Sequence, residues 1–392
     1  MNLFEKKVSE YLLRKKWKKG VCPICGSLFY SKKNSATCQS YECTNSFSFL
    51  DYSKPKHFIF LDTLHKETRD FFKSKNFKMI AGINAINKLG DTFFIVAGVQ
   101  FLDEVFHKNG VIPSGSFFIA QPSIRTKFLR KKGFAEGYST SFVNVCTEEV
   151  NSTIDRYIES LDTWLDYFSY IGLLANDLTL VKKDTVCTED ITSFWSKLKG
   201  NSLFFNYGGL ELGDGSYIWR IPQKNRDSLT LIDFGFGLER ICWAKNKSDS
   251  YFDAIGPLPL SLKGNTQLID CVRTITLMTS SGVVPKQRPQ GPKLTQFVRK
   301  YLSLKDASYD ICSLISYYYS FWSMFFDQAL SLKACQVIIK AEVDRCRNMV
   351  LCQSLGSKPQ KMRNIIDKST DEFIRYLVSC RNQNIDSIRK AL

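Results

Sequence analysis

Leu231-Ile-Asp-Phe-Gly-Phe-Gly-Leu-Glu-Arg240 decides how this chain is read. Leu229 to Ile232 is a β-rich run that leads into it. Gly235 and Gly237 let a backbone lie flat against a ligand. Asp233 can hold an amino group, and Glu239 and Arg240 open a helix beside it. A Gly-x-Gly-x-x-Arg pattern by itself describes no more than a turn, so its meaning depends on its surroundings.

Upstream, Phe117 to Ile124 and Phe142 to Cys146 have the β-branched and aromatic content of strands, and Thr92 to Phe101 reads as a further β-rich segment. Apolar residues at helical spacing predict a helix from Phe58 to Lys75, on Leu61, Leu64, Phe71 and Phe72. They predict a longer one from Asn151 to Ala175, on Ile154, Tyr157, Ile158, Leu161, Trp164, Leu165 and Phe168. Strands separated by a long helix, with little βαβ alternation, point to an α+β domain rich in antiparallel sheet. Beyond about residue 261 strand signals fade and helical periodicity runs to the end. The expected division is a basic N-terminal helix over 1–20, a cysteine-rich segment over 21–52, an α+β domain over 53–260 and an all-helical domain over 261–392.

The 392 residues carry 54 Lys and Arg against 38 Asp and Glu, a net charge of +16. A chain this basic suits a polyanionic partner. With 44% apolar and 23% charged residues it is globular rather than disordered. The longest apolar patch, Ile315 to Phe326, is interrupted by Ser316, Ser320 and Ser323, too short and too polar for a membrane span. The opening Met1-Asn-Leu-Phe-Glu-Lys-Lys7 lacks the apolar centre of a secretory signal, so a cytoplasmic location is expected. Leu3, Phe4, Val8, Leu12 and Leu13 fall at helical spacing before Arg14, Lys15, Lys16, Lys18 and Lys19, which read either as a solvated helix end or as a phosphate-contacting arm. From Cys271 to Lys305 there is no acid, only Arg273, Lys286, Arg288, Lys293, Arg299, Lys300 and Lys305 as charges.

Thirteen cysteines, an odd number, favour metal ligands and buried thiols over a disulfide frame. Cys22-x2-Cys25 and Cys38-x4-Cys43 stand twelve residues apart in a polar segment. Two close thiolate pairs on tight turns can converge on one structural Zn²⁺, and Gly26 gives the first turn a residue without Cβ. A four-thiolate site leaves no open position for a substrate. His57 and His65 add nothing to this set.

Three further stretches carry chemistry. Ala120-Gln-Pro-Ser-Ile-Arg125 ends a predicted strand with an arginine suited to gripping a phosphate, ahead of Lys127, Arg130, Lys131 and Lys132. Phe194-Trp195, Gly200-Asn-Ser and Gly208-Gly-Leu-Glu211 can wall a small pocket. Taken in order, AGVQF at 97–101, QPSIR at 121–125, Trp195 followed by GNS and GGLE, DFGFGLERICW at 233–243 and SSGVVPKQRPQGPKLTQFVRKYL at 280–302 resemble the alanyl-tRNA synthetases, a class II family. The likeness is strongest to the archaeal type, which has a cysteine-rich segment like CPICGSLFY ahead of its catalytic core. It covers the catalytic and tRNA-recognition parts. With only His57, His65 and His107 the chain has no His-x3-His pair for an editing site.

The resemblance implies a class II aminoacyl-tRNA synthetase-like antiparallel sheet with flanking helices, binding ATP with Mg²⁺ on the phosphates. Arg125 would match the motif 2 arginine on the α-phosphate, and Arg240 the motif 3 arginine under the adenine, with Gly237 and Glu239 beside it and Phe142 on the other adenine face. Asp233 and Gly235 would meet the amino acid, with Val99 and Trp195 limiting its side chain. Lys286, Gln287, Arg288, Arg299 and Lys300 would face the tRNA acceptor stem. The implied activity is formation of the adenylate of alanine or a similarly small amino acid and its transfer to a tRNA 3′ end, by a monomer. The departures lie in the same places. Tyr138-Ser-Thr-Ser-Phe142-Val-Asn144 stands where the family has Arg-His and Phe-Glu-Met, and Phe128-Leu-Arg-Lys-Lys132 replaces a His-Asn-Asp run. Leu203-Phe-Phe-Asn206 replaces Gly-Pro-Cys/Ala-x-Glu, and Gln287 stands near the acceptor-stem asparagine. These departures equally suit a stand-alone ligase that passes the aminoacyl group to a small molecule, a nucleoside or a carrier protein.

Overall fold

A computed structural model describes residues 3–88, 92–102, 104, 114–126, 137–186, 199–220, 229–255, 265–304, 310–355, 362–381, 383–385 and 387–388. The chain divides into two compact units, Met1–Ile83 with Asn87–Gly264, and Asn84–Ile86 with Asn265–Leu392. Trp195 and the basic run Lys127, Arg130, Lys131 and Lys132 lie outside the described residues.

The first unit is built on one nine-stranded sheet. Its strands are β1 (Lys18–Val21), β2 (Leu28–Ser31), β3 (Lys78–Ile80), β4 (Gly115–Ile124), β5 (Ser141–Val150), β6 (Leu178–Val186), β7 (Lys199–Tyr207), β8 (Leu210–Arg220) and β9 (Leu229–Gly237). They lie in the order β1-β2-β6-β7-β8-β9-β5-β4-β3. Every neighbouring pair is antiparallel except β3 and β4. This is the α+β, antiparallel architecture expected.

One face of the sheet is covered by the helix Ile154–Tyr170, capped by the Thr153 hydroxyl accepting from the Arg156 N–H. Its Trp164 is fully buried, 4.3 Å from Phe236 and 4.5 Å from Phe72 by ring centroid, and its indole N–H donates to Thr147 Oγ1 at 2.8 Å. Tyr157 stacks on Phe234 at 5.1 Å and donates to the Gly215 carbonyl at 2.9 Å. Each such aromatic contributes roughly 1.5–3 kcal/mol by leaving water, which anchors β9 and β8 against this helix. The helix Leu61–Ser74 joins the same layer through Phe72.

Two expectations need correction. The N-terminal helix closes at Arg14, and Lys18 and Lys19 begin β1 instead of prolonging it. Its buried face is Phe4, Val8, Tyr11 and Leu12, while Leu3 and Leu13 are exposed. Lys7 pairs with Asp155 at 2.8 Å and Lys15 with Asp162 at 3.2 Å, which leaves these two lysines engaged with the helix Ile154–Tyr170. Thr92 to Phe101 forms no long strand but a turn ending in the 3-10 helix Gly98–Gln100. The Gln100 amide oxygen accepts from the N–H groups of Val96 and Ala97 at 2.6 and 3.2 Å, taking the hydrogen bonds a ladder would have made.

The described part of the second unit is helical: Thr266–Ser280, Gly291–Leu304, Ile311–Trp322, Leu332–Ser354, the short Arg363–Ile366 and Thr370–Arg381. Thr266–Ser280 is its central helix, buried from Leu268 to Ser280. Lys286, Gln287 and Arg288 are exposed on the turn after it, and Lys286 pairs with Asp367 at 2.8 Å. On Gly291–Leu304, Arg299 is exposed and Lys300 half-buried. Among the described residues no helix is long and apolar enough to cross a membrane.

The cysteine segment extends the sheet at its β1–β2 edge. Sγ atoms of Cys22, Cys25, Cys38 and Cys43 all lie within 4.8 Å of one another, with Cys25–Cys38 at 3.8 Å and Cys38–Cys43 at 3.6 Å. Tetrahedral zinc with Zn–S bonds of about 2.3 Å sets its sulfurs about 3.8 Å apart, so these four fit that ion. Gly26, at φ +72°, turns the first pair and donates its N–H to the Cys22 carbonyl at 2.9 Å. Between the second pair and Phe49 the chain packs on the Gly208-Gly209 turn. A Cβ on Gly209 would fall 2.1 Å from the Ser46 carbonyl oxygen. Purified protein is expected to hold one zinc per chain by elemental analysis. Cys38→Ser or prolonged chelation removes it and makes the Cys22–Phe47 backbone amides exchange with deuterium faster. A metal-free chain with unchanged protection there would contradict the assignment.

Candidate functional site

The sheet face away from Trp164 carries the chemistry. Along β9, Ile232, Phe234 and Phe236 are buried under the helix, so Asp233, Gly235 and Gly237 point to the other side. Antiparallel register then fixes their neighbours. Gly237 lies opposite Asn144, Gly235 opposite Cys146 and Asp214, and Asp233 opposite Glu148 and Ser216. The small residues leave an open cleft of about 520 Å³, counting the solvent-filled space at its mouth. Arg125, Tyr138, Phe142, Asn144, Glu211, Asp214, Gly235, Gly237 and Arg240 line it.

Two guanidinium groups stand at its rim. Arg125 follows β4 directly, and its backbone N–H donates to the Thr140 carbonyl at 2.8 Å. Its Nε donates to the Val96 carbonyl at 3.0 Å, and its guanidinium lies 4.9 Å from the Phe142 ring centre. Arg240, in the first turn of the helix Leu238–Asn246, donates from Nε to the Gly137 carbonyl at 2.8 Å and from Nη1 to the Glu211 carbonyl at 2.9 Å. Its Nη1 also meets Glu211 Oε1 at 3.4 Å, and the group rests 4.4 Å over the Tyr138 ring. A planar cation held on a ring and on carbonyl oxygens is fixed in direction.

Carboxyl groups cluster beside the cleft, and of these Asp214 lines it. An atom at the Cβ position of Gly235 would lie 3.7 Å from Asp233 Oδ1 and 3.3 Å from Asn144 Nδ2. Burial, partly offset by the Glu148 hydrogen bond and by Arg125, raises Asp233 to about 6. Burial and the Asp233 charge raise Asp214 to about 7, despite its hydrogen bond from Ser216 at 2.9 Å. Glu148 is pushed well above the carboxylate range by burial and by Asp233. Neighbouring carboxyl groups disfavour one another's ionisation.

Arg125, Phe142, Gly235, Gly237 and Arg240 thus line one cleft, and Asp233 stands beside its Gly235 without lining it. Glu239 does not line it. Its buried carboxylate accepts the Val143 N–H at 3.0 and 3.1 Å, tying the helix start to β5. Val99 packs in the apolar cluster with Ile119, Cys146, Ile218 and Leu231 and does not line the cleft either. Sequence reading passed over Asp214, Glu148 and the stacking role of Tyr138. The register that brings them in is not written in any local motif.

A second hollow, of about 690 Å³, shares Gly137, Tyr138, Glu211 and Arg240 with the cleft and is closed by Ser40, Tyr41, Glu42 and Phe47 of the cysteine segment. Among the described residues the four cysteines are the sole group of three or more ligating side chains near enough to hold an ion together. A Mg²⁺ on nucleotide phosphates would therefore take most of its ligands from the nucleotide and water, as that ion usually does.

The raised Glu148 has a consequence for stability. A carboxyl whose folded value stands above its ordinary 4.5 keeps a proton in the native state over the interval between the two. Folding takes up a proton there, so stability falls as pH rises from about 4.5 through the folded value, and below about 4.5 the effect vanishes. Each unit of elevation costs about 1.4 kcal/mol at high pH. Glu148→Gln removes that cost. Its melting temperature is expected to exceed that of the wild type at pH 8, with the gap closing toward pH 4.5. A variant destabilised most at pH 8 would show that Glu148 is a paired carboxylate.

No protein-family model matches the chain. It is 24% identical over 264 residues to the alanine–tRNA ligase of Methanothermobacter thermautotrophicus, covering 64% of this chain and 28% of that protein. It is 23% identical over 259 residues to the alanine–tRNA ligase of Korarchaeum cryptofilum, covering 63% and 27%. The match therefore spans little more than a quarter of the length of those relatives. The pyrrolysyl-tRNA synthetase structure from Desulfitobacterium hafniense aligns at a TM-score of 0.36 and 14% identity, over 52% of this chain and 75% of that one. The chain is a distant relative, in part of their length, of the archaeal alanine–tRNA ligases.

Proposed function

We propose that this chain activates a small amino acid, alanine or one of similar size, with ATP and transfers it to the 3′ end of a tRNA. The observation that carries the reading is that Arg125, Phe142 and Arg240, from the end of β4, β5 and the helix Leu238–Asn246, line one cleft whose Gly235 stands beside Asp233 on β9. The adenine lies between Phe142 and Arg240. The α-ammonium meets Asp233, and the amino-acid carboxylate attacks the α-phosphorus in line with the departing pyrophosphate. Arg125, with its Nε tied to Val96, turns its terminal nitrogens to the charge that builds on that phosphorus. Neither adenylation nor transfer to a ribose hydroxyl needs a side-chain nucleophile, so positioning and electrostatics supply the catalysis. Mg²⁺ would neutralise the departing pyrophosphate. Residues 53–260 serve as the activating domain and 261–392 as the RNA-reading domain. The exposed Lys286, Gln287, Arg288 and Arg299, with Lys300, contact acceptor-stem phosphates and the shallow groove.

Tyr138, under Arg240 where the resembling family carries an arginine, favours a second reading. The aminoacyl group then passes to a small molecule, a nucleoside or a carrier protein. ATP–pyrophosphate exchange across the twenty amino acids tests the activation step. Wild type is expected to support exchange with a small amino acid, and Arg125→Ala to lower it about 10²–10³-fold. Aminoacylation of total tRNA supports the first acceptor, and exchange without tRNA charging supports the second. Exchange with none of the twenty, or undiminished exchange in Arg125→Ala, would overturn the reading.

A further inference from the structure

The second hollow is walled by residues to which the activation step gives no task. Ser40, Tyr41, Glu42 and Phe47 line it and do not line the cleft, while Gly137, Tyr138, Glu211 and Arg240 line both. A ligand in the hollow therefore stands beside one in the cleft. Ser40, Tyr41 and Glu42 lie between Cys38 and Cys43, inside the cysteine cluster. Their loop is tied down. Ser40 bridges to Gly209, the Cys43 N–H donates to the Ser40 carbonyl at 2.9 Å, and the Asn45 N–H donates to the Tyr41 carbonyl at 2.7 Å. Its rings carry the core outward. Phe47 meets the buried Trp243 edge-on at 5.4 Å, and Tyr41 lies on Phe47 at 4.7 Å. Tyr41 is 41% exposed, so the run of rings ends at the hollow in one with surface left for a further ring. The polar lining narrows what that ring can belong to. Among the described residues its one cation is Arg240, already engaged by Glu211 and two carbonyl oxygens, against two acids, Glu42 and Glu211. Such a wall disfavours phosphate and accepts hydrogen bonds from amino and hydroxyl groups.

We propose that this hollow receives the nucleoside that accepts the aminoacyl group, with its base on Tyr41 and its amino or hydroxyl groups on Glu42 and Glu211. The assignment rests on the activation reading above in taking the cleft as the place where the adenylate forms. Unstacked bases are held in this way, on an aromatic ring and by hydrogen bonds along their edges. A terminal nucleoside carries no phosphate beyond its 3′ oxygen, which suits a wall that bears two glutamates. Its ribose oxygen forms the new ester bond to the aminoacyl carbon, the bond from that carbon to the AMP oxygen breaks, and the hydroxyl proton passes to the departing AMP. Tyr41 and Glu42 bind the acceptor and take no part in that exchange of bonds. The 3′ end of an RNA and a free nucleoside offer the same chemistry.

The test is calorimetric, on the full chain with a non-hydrolysable aminoacyl sulfamoyl adenosine added to fill the cleft. Three probes are titrated: an RNA minihelix ending in CCA, the same minihelix without its last nucleoside, and adenosine. Removing the last nucleoside is expected to weaken wild-type binding about tenfold, as loss of one stacked base does. That difference is expected to vanish in Tyr41→Ala and to persist in Tyr41→Phe. Each comparison is made within one protein, so a change in overall affinity does not blur it, and Glu42→Gln, expected to shrink the difference, replaces Tyr41→Ala if that variant does not fold. Adenosine binding that is lost in Tyr41→Ala, with both minihelices alike, upholds the hollow as the site of a free nucleoside. Minihelices alike together with no adenosine binding, or effects that are the same in wild type, Tyr41→Ala and Glu42→Gln, overturn the inference. Pyrophosphate exchange decides the activation reading separately, since it needs no acceptor.

Discussion

Phe234 and Phe236 have to lie under one face of the sheet, and the cleft on the other face follows from that. Strand alternation leaves Asp233, Gly235 and Gly237 no other direction to point. The close approach of β8 enforces the same arrangement. A Cβ on Gly215 would strike the Phe234 ring at 2.1 Å, and one on Gly213 would meet the Gly235 carbonyl oxygen at 2.1 Å. Glycine at both positions lets β8 lie flat over the rings and turns Asp214 and Ser216 toward the cleft. A one-residue slip of β9 would put its aromatic rings in the cleft and its carboxylate against Trp164. The aromatic layer therefore sets the register, and the register sets the chemistry.

This arrangement explains how the protein tolerates carboxyl groups in places that disfavour their charge. Burial raises Asp214, Asp233 and Glu148 together, and the packing of Trp164, Tyr157 and Phe205 on the opposite face offsets that cost. On the proposed reading, the carboxyl groups beside the cleft would meet the substrate's ammonium, and Arg125 and Arg240 its phosphates.

Much of this was legible in residue order. The helix Ile154–Tyr170 announced itself by apolar spacing, and the strands Gly115–Ile124 and Ser141–Val150 by their β-branched and aromatic content. The cysteine cluster was legible because two short spacings leave few ways to place four sulfurs. Thr92 to Phe101 misled because aromatic and β-branched content favours strands, while one glutamine side chain caps the backbone instead. Glu148 and Asp214 stayed hidden for a different reason. A charge alternating with apolar residues on a strand reads as a solvent-facing position until the neighbouring strands and their register are known. Glu239 lies in a ligand-like motif, and its bond to the β5 backbone was likewise hidden until the strands were paired.

The account stands on convergence of Arg125, Arg240 and Asp233 on one bipolar ligand. Calorimetric titration with non-hydrolysable aminoacyl sulfamoyl adenosines tests it without requiring turnover or an acceptor. One ligand per chain is expected, with affinity falling at least about tenfold in each of Arg125→Ala, Arg240→Ala and Asp233→Asn, as loss of a charge-assisted hydrogen bond requires. Absence of binding by the folded wild type, or affinity unchanged in all three variants, would contradict it.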